Sequence, residues 1–399
     1  MQKRLMLLGG IRYLLPAIEV AHKYGFYVVT VDYLPNNIAH KFSDEYHNVS
    51  ILDKEAVLAL ANNLQIDGIL SYAVDPGVLA ASYVAEKMNL PFSCSYNTAL
   101  ILQDKSLFRK FLTNNGFNVP TAKGYAEIEE ALNEINIFHW PVIVKPVDSA
   151  GSKGVTRVDD PNNLEAAIVH ALDESHNGHF IIEDFLEKEG LSSGSESFFV
   201  EGELKYNAFY DQYFDVDACN PFTPSAECWP ANKPDSILNE VRIQLQKLGT
   251  LLGFGTGLFN IEWRVSNGKV YLMEVSPRAG GNRLAEILNY ATDVDVIEAE
   301  VLKALGEPLS YIHEPNYKGH YCILVLHSDK SGIFKGVEID KSFKGEVIEK
   351  EIRVDIGDQV EPFTGANNAI GTLFLRFQTR EAMDEALTHQ KEWLSVNVN

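Results

Sequence analysis

The sequence predicts a multidomain chain of α/β and α+β class that opens with a doubly wound parallel-sheet domain. Three observations lead there. At 399 residues the chain exceeds what one ordinary core serves. Its first hundred residues alternate short apolar runs with amphipathic stretches, and the strands read further on flank hairpin signals instead. With 46% hydrophobic residues the composition is that of a folded soluble protein, and a formal net charge of -21 argues against nucleic acid or an anionic membrane as partner. Four scattered cysteines, Cys94, Cys219, Cys228 and Cys322, form no CxxC pair, which suits a reducing compartment and argues against zinc. Residues 1–10 carry basic then apolar residues, as a signal peptide does, but the apolar run is short and ends in Gly-Gly-Ile-Arg. A buried first strand is expected there and the cytoplasm is the expected location, since no window is long and apolar enough to span a membrane.

In chain order, strands are expected at 5–8, 27–32 and 68–72, and helices at 13–24, 54–63 and 76–88. Gly9-Gly10 and Asp32 lie where a dinucleotide site would place them, but GxGxxG is absent, so a tight turn without cofactor is the better reading. Gly9, Gly10, Ser71 and Asp75 fall at C-terminal strand ends, where α/β sheets put ligands.

Asp104-Lys105 opens a helix over 106–114. Trp140 to Pro146 is an apolar strand closing on Lys145, a half-buried cation in want of an anion. The small residues that follow, from Ser149 to Val155, let backbone N–H groups approach phosphate oxygens under Lys153, although a solvent-facing hairpin turn explains them too. Phe180 to Leu186 is an apolar strand interrupted by Glu183 and Asp184, and Gly194-Ser195-Glu196 follows. The aromatic and acidic stretches 210–215 and 224–230 look too irregular for plain strands; Glu227 there is a candidate anchor for an amine.

The strongest signal is a pair of carboxylates in apolar strands either side of Asn267-Gly268: Glu262 in Leu258 to Trp263, and Glu274 in Val270 to Val275. Desolvated carboxylates call for a cation, and two on one hairpin suit Mg2+ or Mn2+. A regular two-residue turn would put Glu262 opposite Met273 and the acids on opposite faces, so the metal reading requires an odd-length loop such as three residues with a bulge near Gly268. The alternative is a solvent-facing Glu262 paired with Arg264 or Arg278. Asn282 and Arg283, just after Arg278, are candidates to orient and clamp a substrate carboxylate, though an arginine neutralising nearby acids fits as well. The histidines show no metal-ligand spacing. Residues 311–399 resume strand patterning at 320–326 and 371–377 and close on a helix over 381–394, without visible chemistry.

The ordered set of lysine, strand-end lysine, small-residue flap, acidic hinge, GxE and paired acids leading into Pro-Arg resembles the ATP-grasp ligases. The resemblance implies an N-terminal domain over 1–100, an ATP-grasp core of two α+β subdomains clasping ATP over 101–310, its lid about 117–185, and a C-terminal segment over 311–399 completing the core. It implies Lys105 and Lys145 on the ATP phosphates, a flap including Ser149, Ser152, Lys153 and Gly154, Glu183 with the backbone of Phe185 and Leu186 on adenine, and Glu196 on the ribose. Glu262 and Glu274 match the metal acids, and Arg278 the arginine that steadies an acyl phosphate. Ser276 stands where many members have a metal-binding asparagine, so a second ion is less secure than the first. The implied reaction joins a small-molecule carboxylate to an amine with ATP and Mg2+ or Mn2+. Carboxylating or phosphoribosyl chemistry of purine metabolism and a non-catalytic nucleotide-binding regulator are the alternatives. Dimerisation is common among similar ligases, so a homodimer is part of the expectation.

Overall fold

Four consecutive buried residues, Leu5 to Leu8, make the first strand and fix the middle of a parallel sheet. The computed structural model describes residues 2–149, 151 and 153–399. In the first sheet the strands lie in the order Glu45–His47, Tyr27–Val31, Arg4–Leu8 and Gly68–Leu70, all parallel. Helices Leu15–Lys23 and Lys54–Leu64 connect strands of this sheet, and Val78–Met88 follows the last of them. The second of these is capped by Asp53, whose side chain accepts from the Ala56 N–H, and ends at Gln65 in the left-handed region.

A later helix, Val296–Ala304, returns to pack on this sheet and on Leu15–Lys23. Gly68 permits that contact, because a Cβ there would collide with the Ala304 carbonyl oxygen. From the same helix Lys303 donates to Ser93 Oγ at 3.0 Å and Glu300 accepts from the Leu258 N–H. One apolar core therefore runs from Leu5 and Val29 through Ile297 and Val301 to Phe198, Tyr206 and Phe374.

The central sheet has eight strands, in the order Lys269–Ser276, Gly257–Ser266, Ser192–Val200, Glu203–Phe214, Pro224–Trp229, His320–Leu326, Gly371–Phe377 and Glu346–Ile352, with antiparallel neighbours. The two stretches that look irregular in sequence are thus regular interior strands. Their aromatics are core, with Tyr210 and Trp229 buried, and the acid Asp211 is neutralised by Arg380 and Lys233 at 3.2 and 3.5 Å. The C-terminal segment supplies three strands of this sheet. Its closing helix is shorter than the sequence suggests. It spans Arg380–Thr388, a turn follows at Gln390–Trp393, and Leu394–Val398 is a strand paired with Gly332–Ile339.

The remaining sheet orders Ala122–Tyr125, Phe180–Asp184, Val142–Pro146 and Thr156–Val158. With helices Ile128–Asn133 and Leu164–Asp173 it buries its own cluster, which includes Tyr125, Phe138, Val144, Ile168 and Ile182.

Candidate active site

Glu262 and Glu274 face each other. They are register partners, but the loop does not bring this about. Ser266 pairs with Lys269 across a two-residue Asn267-Gly268 turn, both turn residues having positive φ (50° and 69°). The pairing slips between Glu262 and Trp263, where Met273 is the extra residue, and this bulge turns the second acid onto the face of the first. The expected loop is therefore replaced by a bulge inside the strands. Glu262 is exposed and makes no ion pair among the described residues, so pairing with Arg264 or Arg278 is not what holds it. The surrounding protein and then Glu274 raise its pKa. Glu274 has Lys105 Nζ at 3.7 Å. Two opposed hard-oxygen donors with this little compensation fit a Mg2+- or Mn2+-sized cation.

Lys105 starts the helix Lys105–Asn114, whose cap Asp104 accepts from the Leu107 N–H at 2.9 Å. Its ammonium donates to the Ser149 carbonyl at 2.8 Å, tying it to the small-residue loop. In that loop Gly151 and Gly154 have φ of 70° and 66°, Gly154 is buried and Lys153 is exposed. Ser152 lies outside the described residues.

Lys145 pairs with Glu183 at 2.8 Å, and Arg109 Nε approaches the other Glu183 oxygen at 2.8 Å. Burial opposes the charge on Glu183, yet Arg109 and Lys145 outweigh it and hold the carboxyl at about 2. Burial lowers Lys145, Glu183 raises it, and Arg109 and Lys105 lower it again, leaving it at about 8. Two cations thus share one buried carboxylate, with Lys105 near enough to act on Lys145 as well. Glu183, expected to meet adenine, is only 1% exposed and spent on these cations. Beyond it the Phe185 N–H donates to the Pro141 carbonyl, whereas the Leu186 N–H has no partner among the described residues. Arg109 carried no sequence signal beyond its place four residues after Lys105 on one helix face.

Glu196 is also displaced from its expected role. It is fully buried and accepts from Asn260 Nδ2 at 2.6 Å and the Gly280 N–H at 3.1 Å, so it braces the loop after Arg278 and is closed off from a ribose. Burial, opposed by the Gly280 N–H and Asn260, pushes its carboxyl up to about 7.

Arg278 is anchored by Asp75, from the end of the fourth strand of the parallel domain. Nε donates to Asp75 Oδ1 at 2.8 Å and a terminal nitrogen donates to Oδ2. Ser276 joins the same anchor: its hydroxyl donates to Asp75 Oδ1 and accepts from Gln103 Nε2, each at 2.9 Å. Ser276 is thus committed to aligning Arg278, which uses most of its capacity for a metal. Asp75 was visible in sequence as a strand-end residue, but its partner was not.

Asn282 donates to Glu227 Oε1 at 3.1 Å, and Glu227 is 3% exposed. Arg283, a candidate clamp, is taken up by Glu286 (2.6 Å), Glu349 (2.7 Å) and Glu351 (3.4 Å) and stacks over Phe374. It performs the neutralising role, for acids that the C-terminal segment brings in. Among the histidines, His327 departs from the expectation: its ring nitrogen lies 3.1 Å from Asp215 and near Asp329.

Comparison with known proteins bears on the fold and on the middle of the chain. Residues 138–286 match the family described as ATP-grasp domain. A formate-dependent phosphoribosylglycinamide formyltransferase from Shewanella frigidimarina is 26% identical over 316 residues, covering 75% of this chain and 74% of that protein. A carbamoyl phosphate synthase large chain from Clostridium perfringens is 25% identical over 73% of this chain, which spans only 27% of that relative's length. The L-amino acid ligase structure from Bacillus licheniformis superposes with a TM-score of 0.83 at 19% identity, covering 100% of this chain and 99% of the other. The chain has the multidomain fold of those proteins, and within it residues 138–286 match the ATP-grasp domain family.

Proposed function

We propose that this protein is an ATP-dependent carboxylate–amine ligase that makes an amide or dipeptide-like bond between small molecules. The observation that carries the reading is the opposed Glu262–Glu274 pair standing beside Lys105, with Lys145 and the Asp75-anchored Arg278 in the same cleft system. Glu262 and Glu274 would hold Mg2+ or Mn2+, which when bound neutralises charge on the β- and γ-phosphates. Lys105 and Lys145 bind the phosphate oxygens, and the four-stranded sheet with its loop from Ser149 to Val155 acts as the lid over them. Adenine reads the free Leu186 N–H beside the Phe185 ring.

A carboxylate oxygen of the acid attacks the γ-phosphorus of ATP and ADP departs. Arg278, kept in place by Asp75, faces the resulting acyl phosphate and stabilises the negative charge of its tetrahedral successor. The amine, as its neutral form, then attacks the acyl carbon, the bond from that carbon to the phosphate oxygen breaks, and the surplus proton on nitrogen leaves with the departing phosphate. Closure of the lid keeps water from the mixed anhydride. A homodimer in the cytoplasm fits this role, and the four unpaired cysteines suit a reducing compartment.

The formyltransferase relative supports a variant in which formate or bicarbonate is the acid and a phosphoribosyl amine the acceptor. The test is ADP and phosphate release with Mg-ATP across a matrix of carboxylic acids, amino acids, formate and bicarbonate, singly and in pairs. Release that requires one acid and one amine supports the ligase. Glu274→Ala should abolish that turnover while leaving the circular dichroism spectrum intact, and unchanged turnover would refute the metal assignment.

A further inference from the structure

Glu227 stands on the face of the central sheet that carries Glu262. Gln212 pairs with Glu227, Tyr210 lies two residues from Gln212, and Tyr210, Gly194 and Glu262 are neighbours in register. The Tyr210 ring covers Gly194 so closely that no Cβ fits there. Beside this aromatic wall, Glu227 Oε1 is held by Asn282. The other oxygen, Oε2, is buried and has no hydrogen-bond partner among the described residues, nor is any lysine, arginine or histidine within ion-pair distance of it. Asn282 is itself fixed, with the Tyr13 hydroxyl 3.5 Å from its Oδ1 and a left-handed backbone at φ 51°, followed by Arg283 at φ 66°. Consecutive left-handed residues with side chains are strained and persist where the surrounding structure imposes them. Burial, opposed by Asn282 and assisted by Glu262, pushes the Glu227 carboxyl up to about 7.

A buried carboxylate oxygen without a donor is unfavourable in the ligand-free protein and becomes favourable when a cation supplies one. Asn282, which holds this carboxylate, lies four residues after the arginine assigned to the acyl phosphate, so one short loop links the two. Building on the ligase reading, we propose that Glu227 recognises the second substrate and that this substrate arrives as a cationic primary amine, its ammonium donating to Glu227 Oε2 while Asn282 fixes the carboxylate. Glu227 is then the residue that favours a cationic acceptor over an uncharged one.

The test compares two acceptors in the same acid-dependent reaction at pH 7. One is the L-amino acid that best supports turnover, which is an ammonium at this pH. The other is hydroxylamine, which is largely uncharged and reports acyl phosphate as a hydroxamate. In Glu227→Gln the KM for the amino acid should rise about 10- to 100-fold, the value of a charge-assisted hydrogen bond, while hydroxamate formation and the KM for ATP stay within about threefold. Glu227→Asp, which keeps the charge on a shorter arm, should show a smaller rise and serves if the glutamine variant does not fold. An unchanged amino-acid KM, or equal losses with both acceptors, overturns the assignment of Glu227. No hydroxamate from the unmodified protein with any acid in the panel would instead overturn the ligase reading, and this assignment with it.

Discussion

Replacing Glu183 with glutamine removes the single anion between Arg109 and Lys145 and leaves the volume almost unchanged. Glu183 and Arg109 are 1% and 2% exposed, so solvent screens the pair little. A carboxyl drawn from 4.5 to about 2 corresponds to about 3 kcal/mol of native-state stabilisation, and removal of one partner from a buried pair typically costs about 3–5 kcal/mol. At about 2.1 cal/mol/K per residue, a 399-residue chain melting as one unit would lose about 4 °C. The sign with pH follows from a folded pKa below the unfolded one. The stabilisation is complete above about 4.5 and fades as the pH falls toward 2, so the melting temperatures of the two proteins should converge over that window. Differential scanning calorimetry at pH 7 and at steps down to pH 3 measures both. A variant melting within about 1 °C of the parent at pH 7 would refute the argument that this carboxylate is what makes the cation cluster tolerable.

Asp75→Asn keeps the fold but weakens the grip on Arg278 and Ser276. Acid-dependent turnover should fall about 10- to 100-fold with the KM for ATP within about twofold, as steady-state kinetics would show. Gly68→Ala puts a methyl against the Ala304 carbonyl and should cost about 1–3 kcal/mol in urea denaturation without altering catalysis at 25 °C. Ellman's reagent should label one thiol, the exposed Cys219, in the native protein and four after unfolding. Cys94, Cys228 and Cys322 are buried, and burial pushes the Cys94 thiol up to about 12.

Local chemistry was legible in the sequence wherever a residue is unusual for its own neighbourhood. Glu262 and Glu274 among apolar residues, Lys145 at a strand end and the small-residue loop all declared themselves, and so did the alternation that builds the first sheet. What escaped depends on partners distant along the chain. Arg109 and Asp75 matter because of Glu183 and Arg278, which lie 74 and 203 positions away. Arg283 and Glu196 looked available because nothing nearby in sequence shows that Glu349, Asn260 and the Gly280 N–H engage them. The strands at 203–214 and 224–229 were obscured because acids and tyrosines break the apolar pattern of a buried strand, and only partners from other elements, Arg380 and Lys233 for Asp211 and Asn282 for Glu227, hold those acids.

The slip at Met273 gives the carboxylate pair a dependence on parity. Side chains alternate along a strand and the second arm holds one residue more than the first, so the two acids meet only because the bulge absorbs that extra residue. Lengthening both arms by one residue preserves the encounter. Deleting Met273 would equalise the arms and keep the acids opposed without a bulge, whereas a further residue on the second arm would carry Glu274 out of register with Glu262. Point substitutions in the hairpin can tune this site, whereas a one-codon insertion in its second arm would separate the two acids with both still present.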